Sequence, residues 1–293
     1  NNHIVDGAGR FEMVSGATLH IGSVDGITVL PTASGNIQNT GNLRTFHTGG
    51  NYVYDGTGGA QVTGDGLPAS MTSLTINNSN GVSITSTGTT TINSLLALDA
   101  GILYLNGTST LSLGTTTQVT GTFSASNMIA TDGTGAVYKS FPANDTNPFT
   151  FPIGETTAGA DYSPVTLSFQ YNSAGSVSVR VTDANHPDLN NPSAPTSYLS
   201  RYWTFTASPT SYAYNIDLGY SAADVNGTQA DLRFSRFNTA WYNAPSAGAA
   251  NVLSSSTVLT NTGAPLNTSY TGRENGNTLL YYRSIANGLW SAN

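Results

Sequence analysis

Three Asp-Gly-x-Gly elements are the first places where this chain could do chemistry: Asp6-Gly7-Ala8-Gly9, Asp55-Gly56-Thr57-Gly58 and Asp132-Gly133-Thr134-Gly135. A carboxylate beside glycine can accept backbone hydrogen bonds in a tight turn, or give one oxygen to a calcium ion. Calcium needs six to eight converging oxygens. Neither an EF-hand loop nor a repeated Gly-Gly-x-Gly-x-Asp pattern is present to supply them. Asp6, Asp55 and Asp132 are therefore calcium candidates only if the fold gathers further ligands. The simpler expectation is structural turns at Gly7, Gly9, Gly56, Gly58, Gly133 and Gly135, with left-handed backbone after Asp55. No other cofactor is implied.

The remaining reactive types are scattered. His3, His20, His47 and His186 have no metal-ligand spacing. Only His186-Pro187-Asp188 sets a histidine beside a carboxylate. Serine is abundant, but no Gly-x-Ser-x-Gly elbow exposes one as a nucleophile. Asp55 and Asp65 could form a glycosidase-like pair only at a definite carboxyl separation, which the sequence does not give. Aromatic surfaces offer a different chemistry. Trp241 and Tyr242 could stack on a sugar or a protein partner, with His186 and the loop "HPDLNNPS" as a rim. In "RYWTF", Trp203 and Phe205 fall on the face opposite Tyr202, and core packing is the simpler reading.

The elements that must position these residues read as β throughout. In residues 1–135 short segments such as "SLTINN", "GVSITS", "GILYLNG" and "TLSLG" alternate apolar with Thr, Ser or Asn. Period two sends one set of side chains to one face of a strand. Such segments are too brief to bury much surface alone, so they are expected to stack as rungs of a β-solenoid. The repeat is irregular, with 49 residues from Asp6 to Asp55 and 77 from Asp55 to Asp132. "NSLLALDAG" reads briefly as helical but sits between Thr-rich strands. Residues 136–160 form a Pro-, Gly- and Phe-rich junction in which Pro142, Pro148 and Pro152 lack the amide a ladder needs. Over 161–293 the strands lengthen ("VTLSFQY", "SVSVRVTD", "RYWTFTA", "YNIDLGY", "ADLRFSRF", "TLLYYRSI"). They predict an antiparallel β-sandwich. The fold class expected is all-β, an N-terminal solenoid followed by a C-terminal sandwich.

Composition narrows the partners. Lys139 is the only lysine, and the 16 acidic residues leave a formal charge of -7 over 293 residues. No basic patch is available for a nucleic-acid backbone or anionic lipid. No run of 18 apolar residues predicts a membrane helix. Cysteine is absent, which removes disulfides and thiol chemistry. The 15 Tyr, 10 Phe and 3 Trp offer enough apolar surface to argue for a folded chain despite only 9% charged residues. The lysine-poor, Thr/Ser/Asn/Gly-rich composition points to an extracellular or cell-surface location.

Seven stretches carry a resemblance: "GGNYVYDGTGGAQVTGDGLP" (49–68), "GTSTLSLG" (107–114), "MIATDGTGAVYKSFP" (128–142), "FTFPIGE" (149–155), "YSPVTLSF" (162–169), "LSRYWTF" (199–205) and "YYRSIANGLWSAN" (281–293). In this order they resemble the long, repetitive surface proteins of Bacteroidetes that are commonly exported through the type IX secretion pathway. The resemblance implies tandem β modules in an adhesin or filament, with neighbouring copies or surface glycans as partners. It assigns no catalytic or ligand-binding residue. It also implies that "NGLWSAN" opens a further repeat. The expected function is a non-enzymatic structural module. The alternatives are a carbohydrate-binding module and a polysaccharide lyase or glycoside hydrolase on a β-helix.

Overall fold

The computed structural model describes residues 3–31, 34–40, 44–244 and 250–274, and the backbone of 282–286 and 289–292. The chain winds first as a solenoid. One coil holds β1 (Phe11–Glu12) and β2 (Thr18–Ile21), and the next holds β3 (Arg44–Thr45), β4 (Asn51–Tyr54) and β5 (Gln61–Val62). β6 (Ser70–Asn77) and β7 (Val82–Ser83) follow, then β8 (Thr89–Ala100) and β9 (Leu103–Tyr104). The last full coil carries β10 (Thr110–Leu113), β11 (Gln118–Gly121) and β12 (Ile129–Ala130).

Every ladder between these coils is parallel. Asn51 lies opposite Ser73 and Ser73 opposite Leu95, a step of 22 residues each time. The step is 33 from Phe11 to Arg44 and 26 from Leu111 to Val137, so coil length varies while register holds. Stacking places like on like. Tyr52, Leu74 and Leu96 form one buried column, and Val82, Leu103, Ile129 and Ile153 another. Thr side chains bond rung to rung, as Thr63 to Thr85 at 2.9 Å and Thr89 to Thr110 at 2.8 Å. The "NSLLALDAG" segment lies in β8 and in the bend after it, not in a helix. Its apolar side chains can reach columns on both neighbouring coils, which outweighs a short helical preference.

The parallel ladders run past residue 135 into the Pro-rich stretch. β13 (Val137–Phe141) is parallel to β10, and β15 (Ile153–Glu155) is parallel to β12. Between them lies β14 (Phe149–Phe151), and β16 (Asp161–Tyr162) turns back along β15. The change of direction occurs on β13, which pairs antiparallel on its other side with β18 (Gly175–Thr182).

Beyond it the structure is sandwich-like. β17 (Val165–Asn172), β19 (Tyr198–Ala207), β20 (Tyr212–Gly219) and β21 (Val225–Asn226) come first. The hairpin β22 (Arg233–Asn238) and β23 (Ala240–Ala244) follows, then β24 (Val252–Ser254), β25 (Leu259–Thr260) and β26 (Ser269–Arg273). β27 (Tyr282–Ala286) and β28 (Leu289–Ala292) pair with each other, and the rest of 275–293 lies outside the described residues. One sheet continues from β2 through β13 to β23, thirteen strands with two side branches. A five-stranded sheet of β14, β17, β20, β24 and β25 faces its C-terminal part. Phe141 of the long sheet meets Phe169 of the other edge to face, with centroids 5.2 Å apart. Among the described residues, no helix is long and apolar enough to cross a membrane.

Candidate functional site

The loop between β18 and β19 brings His186 onto the outer face of the β19–β26–β22 sheet. Its ring lies 4.9 Å from Trp241, 5.2 Å from Tyr202 and 5.2 Å from Phe237. These side chains meet because Trp241 lies opposite Phe237 across the β22–β23 hairpin and Tyr202 projects from the outward face of β19. The loop is tied down at several points. The Trp241 indole donates to the carbonyl of Asp188 at 3.0 Å, and Arg273 stacks over Trp241 while donating to the carbonyl of Ser193. The amide and hydroxyl of Thr196 donate to Glu274.

His186 Nε2 lies 2.6 Å from Ser269 Oγ, a separation that would suit a base and its nucleophile. The other ring nitrogen decides otherwise. The amide of Asp188 donates to Nδ1 at 3.0 Å, so Nδ1 is the acceptor and Nε2 carries the proton. Nε2 therefore donates to Ser269 and has no lone pair with which to activate it. Burial holds the His186 pKa below its ordinary value; Asp188 opposes this and Arg273 adds to it. Beside the ring runs a shallow groove of about 540 Å³, walled by Tyr202, Phe237, Asn238 and Asn267. Its aromatic edges and amides could hold a sugar or another polar ligand.

The residues expected to form an open aromatic platform are thus divided. His186 is buried and Trp241 is half-buried, with its donor already used. Tyr242 alone is exposed; it lies on the opposite face of the hairpin, with the Arg236 guanidinium 5.6 Å from its ring centre. Period two separates Trp241 from Tyr242 as neighbours on one strand.

The calcium candidates lie on different coils. Asp55 accepts from or pairs with His20 Nδ1 at 2.6 Å, and Asp132 accepts from the amide and hydroxyl of Thr156. Asp6 is exposed. Asp65 accepts the Val29 amide at 3.0 Å, so Asp55 and Asp65 serve different elements. Among the described residues, no three His, Asp or Glu side chains gather in a way that could hold a metal ion.

The glycines differ from one another. Gly7 has φ +105°. Gly56 does not adopt the left-handed backbone expected after Asp55. It is constrained by space, since a Cβ there would sit 2.6 Å from the carbonyl oxygen of Gly22 on the preceding coil. A Cβ on Gly133 or Gly135 would press harder still, against the carbonyl oxygens of Gly107 and Ser109 on the coil beneath. A Cβ on Gly9 or Gly58 would meet nothing.

One cluster was missed in the sequence. Arg201 is fully buried, and its guanidinium reaches Asp224 at 2.8 Å, Asp161 at 3.2 Å, Asp183 at 3.6 Å and Ser163 Oγ at 2.5 Å. Burial pushes the Asp224 carboxyl up, against the opposing pull of Arg201. Asp161 lies on β16 at the solenoid end and Arg201 on β19, so this ion cluster joins the two regions. The available signal was register. Leu199, Arg201, Trp203 and Phe205 alternate on one inward face of β19.

Compared with known proteins, the chain matches no protein-family model, no curated protein and no solved structure.

Proposed function

We propose that this chain is a non-enzymatic structural module of an extracellular adhesin or cell-surface filament, of the kind built by the Bacteroidetes surface proteins that it resembles. The observation that carries this reading is the unbroken sheet from β2 to β23. Tension along such a module would be borne by continuous ladders rather than by a flexible linker. The sparsely charged, Thr-laddered surface of the solenoid also suits a scaffold more than a cleft for turnover. Electron microscopy of concentrated protein tests assembly directly. Filaments or end-to-end arrays are expected, and uniform monomers across assembly conditions would count against the filament form.

A second reading is a carbohydrate-binding module. It is favoured by the groove beside His186, where Tyr202 and Phe237 stand near Asn238 and Asn267. On a glycan array, binding that is lost in Phe237→Ala would support it. No sugar binding at millimolar concentration would sink it.

A further inference from the structure

The long sheet has an uncovered internal edge. β8 is twelve residues long, and two strands of the next coil cover it: β10 on Thr89–Ile92 and β11 on Leu95–Leu98. The coil after that covers only the first of these, because β13 pairs with β10 and the chain then leaves the ladder at Pro142. Among the described residues, β11 pairs with β8 alone. Beside it lies a groove of about 590 Å³, with Lys139 and Phe141 on β13, Phe123 beyond β11, and Asn147, Pro148 and Phe149 as the far wall. β14, which begins at Phe149, is itself the edge of the facing sheet.

We propose that this groove receives an extended β-strand donated by a separate polypeptide, laid along β11 as the next rung. The ladder's continuity states the chemistry of the occupant. Val119 is half-buried and continues the inward column of Leu96, and Gly121, opposite Leu98, leaves the next position uncovered, so the guest residues on that face must be apolar. Gln118 and Thr120 face outward, where Thr or Ser would extend the hydroxyl ladder. Charge states it as well. Lys139 and Asp145 are the two charged liners and cancel, so an uncharged strand is the complementary guest. Lys139 donates to the carbonyls of Gly114 at 2.6 Å, Thr115 at 2.8 Å and Ser140 at 3.0 Å, which holds the floor fixed without consuming a group on β11. Unpaired strand edges bind extended peptides by main-chain hydrogen bonds, with side-chain pockets setting the sequence.

The probe is a fluorescein-labelled, end-capped Thr-Val-Thr-Val-Thr peptide, with a control carrying proline at both valines. Saturable binding with Kd below about 1 mM is expected for the first peptide alone. Backbone amide shifts should change at Gln118–Gly121 and Phe149–Phe151. Asn147→Trp, which fills the groove from an exposed position, should weaken binding at least tenfold with unchanged melting. Equal binding of the proline control, or amide shifts elsewhere, overturns the proposal. So does displacement of the peptide by oligosaccharides, which would make the groove a sugar site. Self-association abolished by Asn147→Trp would seat a second copy in the groove and overturn its assignment to a separate polypeptide. None of these outcomes depends on whether the chain forms filaments.

Discussion

The solenoid and the sandwich-like region solve the same burial problem with different materials. The solenoid core is aliphatic and tyrosyl, its columns are stacked in parallel register, and its polar side chains bond from rung to rung. The sandwich side buries Arg201, Arg236 and Arg273 and surrounds them with carboxylates, carbonyls and aromatic rings. Stacked coils repeat one interface, so close fit between rungs suffices. The antiparallel strands switch between two sheets through different connections, and on the hypothesis that buried ion pairs add specificity, directional ion pairs and ring contacts select among the ways they could meet. The solenoid should therefore be sensitive to volume and the sandwich to charge.

Removing Arg201 should give the largest effect. Arg201→Ala leaves Asp224, Asp161 and Asp183 facing one another without their cation, a loss of about 3–5 kcal/mol by analogy with broken buried pairs. Trp203 and Trp241 lie in the sandwich-like region, so their fluorescence reports it, while far-ultraviolet circular dichroism reports both regions. Because one sheet spans the two, both signals should fall together in urea and shift together in the variant. A β-sheet signal that persists beyond the tryptophan transition would show that the regions are energetically separate.

A volume change in the solenoid should cost less but be sharply local. Gly135→Ala places a methyl group against the Ser109 carbonyl and should destabilise by about 1–3 kcal/mol, the usual range for overpacking. Gly58→Ala, in the matching position of another Asp-Gly-x-Gly element, should stay within about 0.5 kcal/mol. Thermal melts of the two variants side by side test this. Equal losses would mean that the motif acts through backbone conformation and not through rung contact.

The smallest expected effect is a pH slope carried by the sandwich alone. Burial lowers the His186 pKa, so as pH falls through about 6.5 the unfolded chain takes up the proton before the folded one does. The stability His186 contributes is thus present above pH 6.5 and lost between that value and its lower folded pKa. Urea midpoints at pH 7.5, 6.5 and 5.5 should decline more steeply in the wild type than in His186→Gln. Parallel slopes would mean that the Ser269 and Asp188 contacts do not hold the ring neutral.

Alternation in the sequence was enough to establish that the chain is all-β, that Trp203 and Phe205 point inward while Tyr202 does not, and that short Thr-rich segments must stack. Each of these follows from the two-residue period of a strand, a local property written in consecutive side chains. Alternation names a face but not a partner, and pairing partners lie 21 or more residues away in the coils. Tertiary structure therefore decided that β13 is parallel on one side and antiparallel on the other, which carries the ladder through the Pro-rich stretch. It decided that Gly135 is forced by a carbonyl on the coil beneath and Gly58 by nothing, although the two motifs read alike. It also made His186 a donor to Ser269 and Arg201 the centre of a buried ion cluster, because burial and tautomer depend on groups gathered from distant strands.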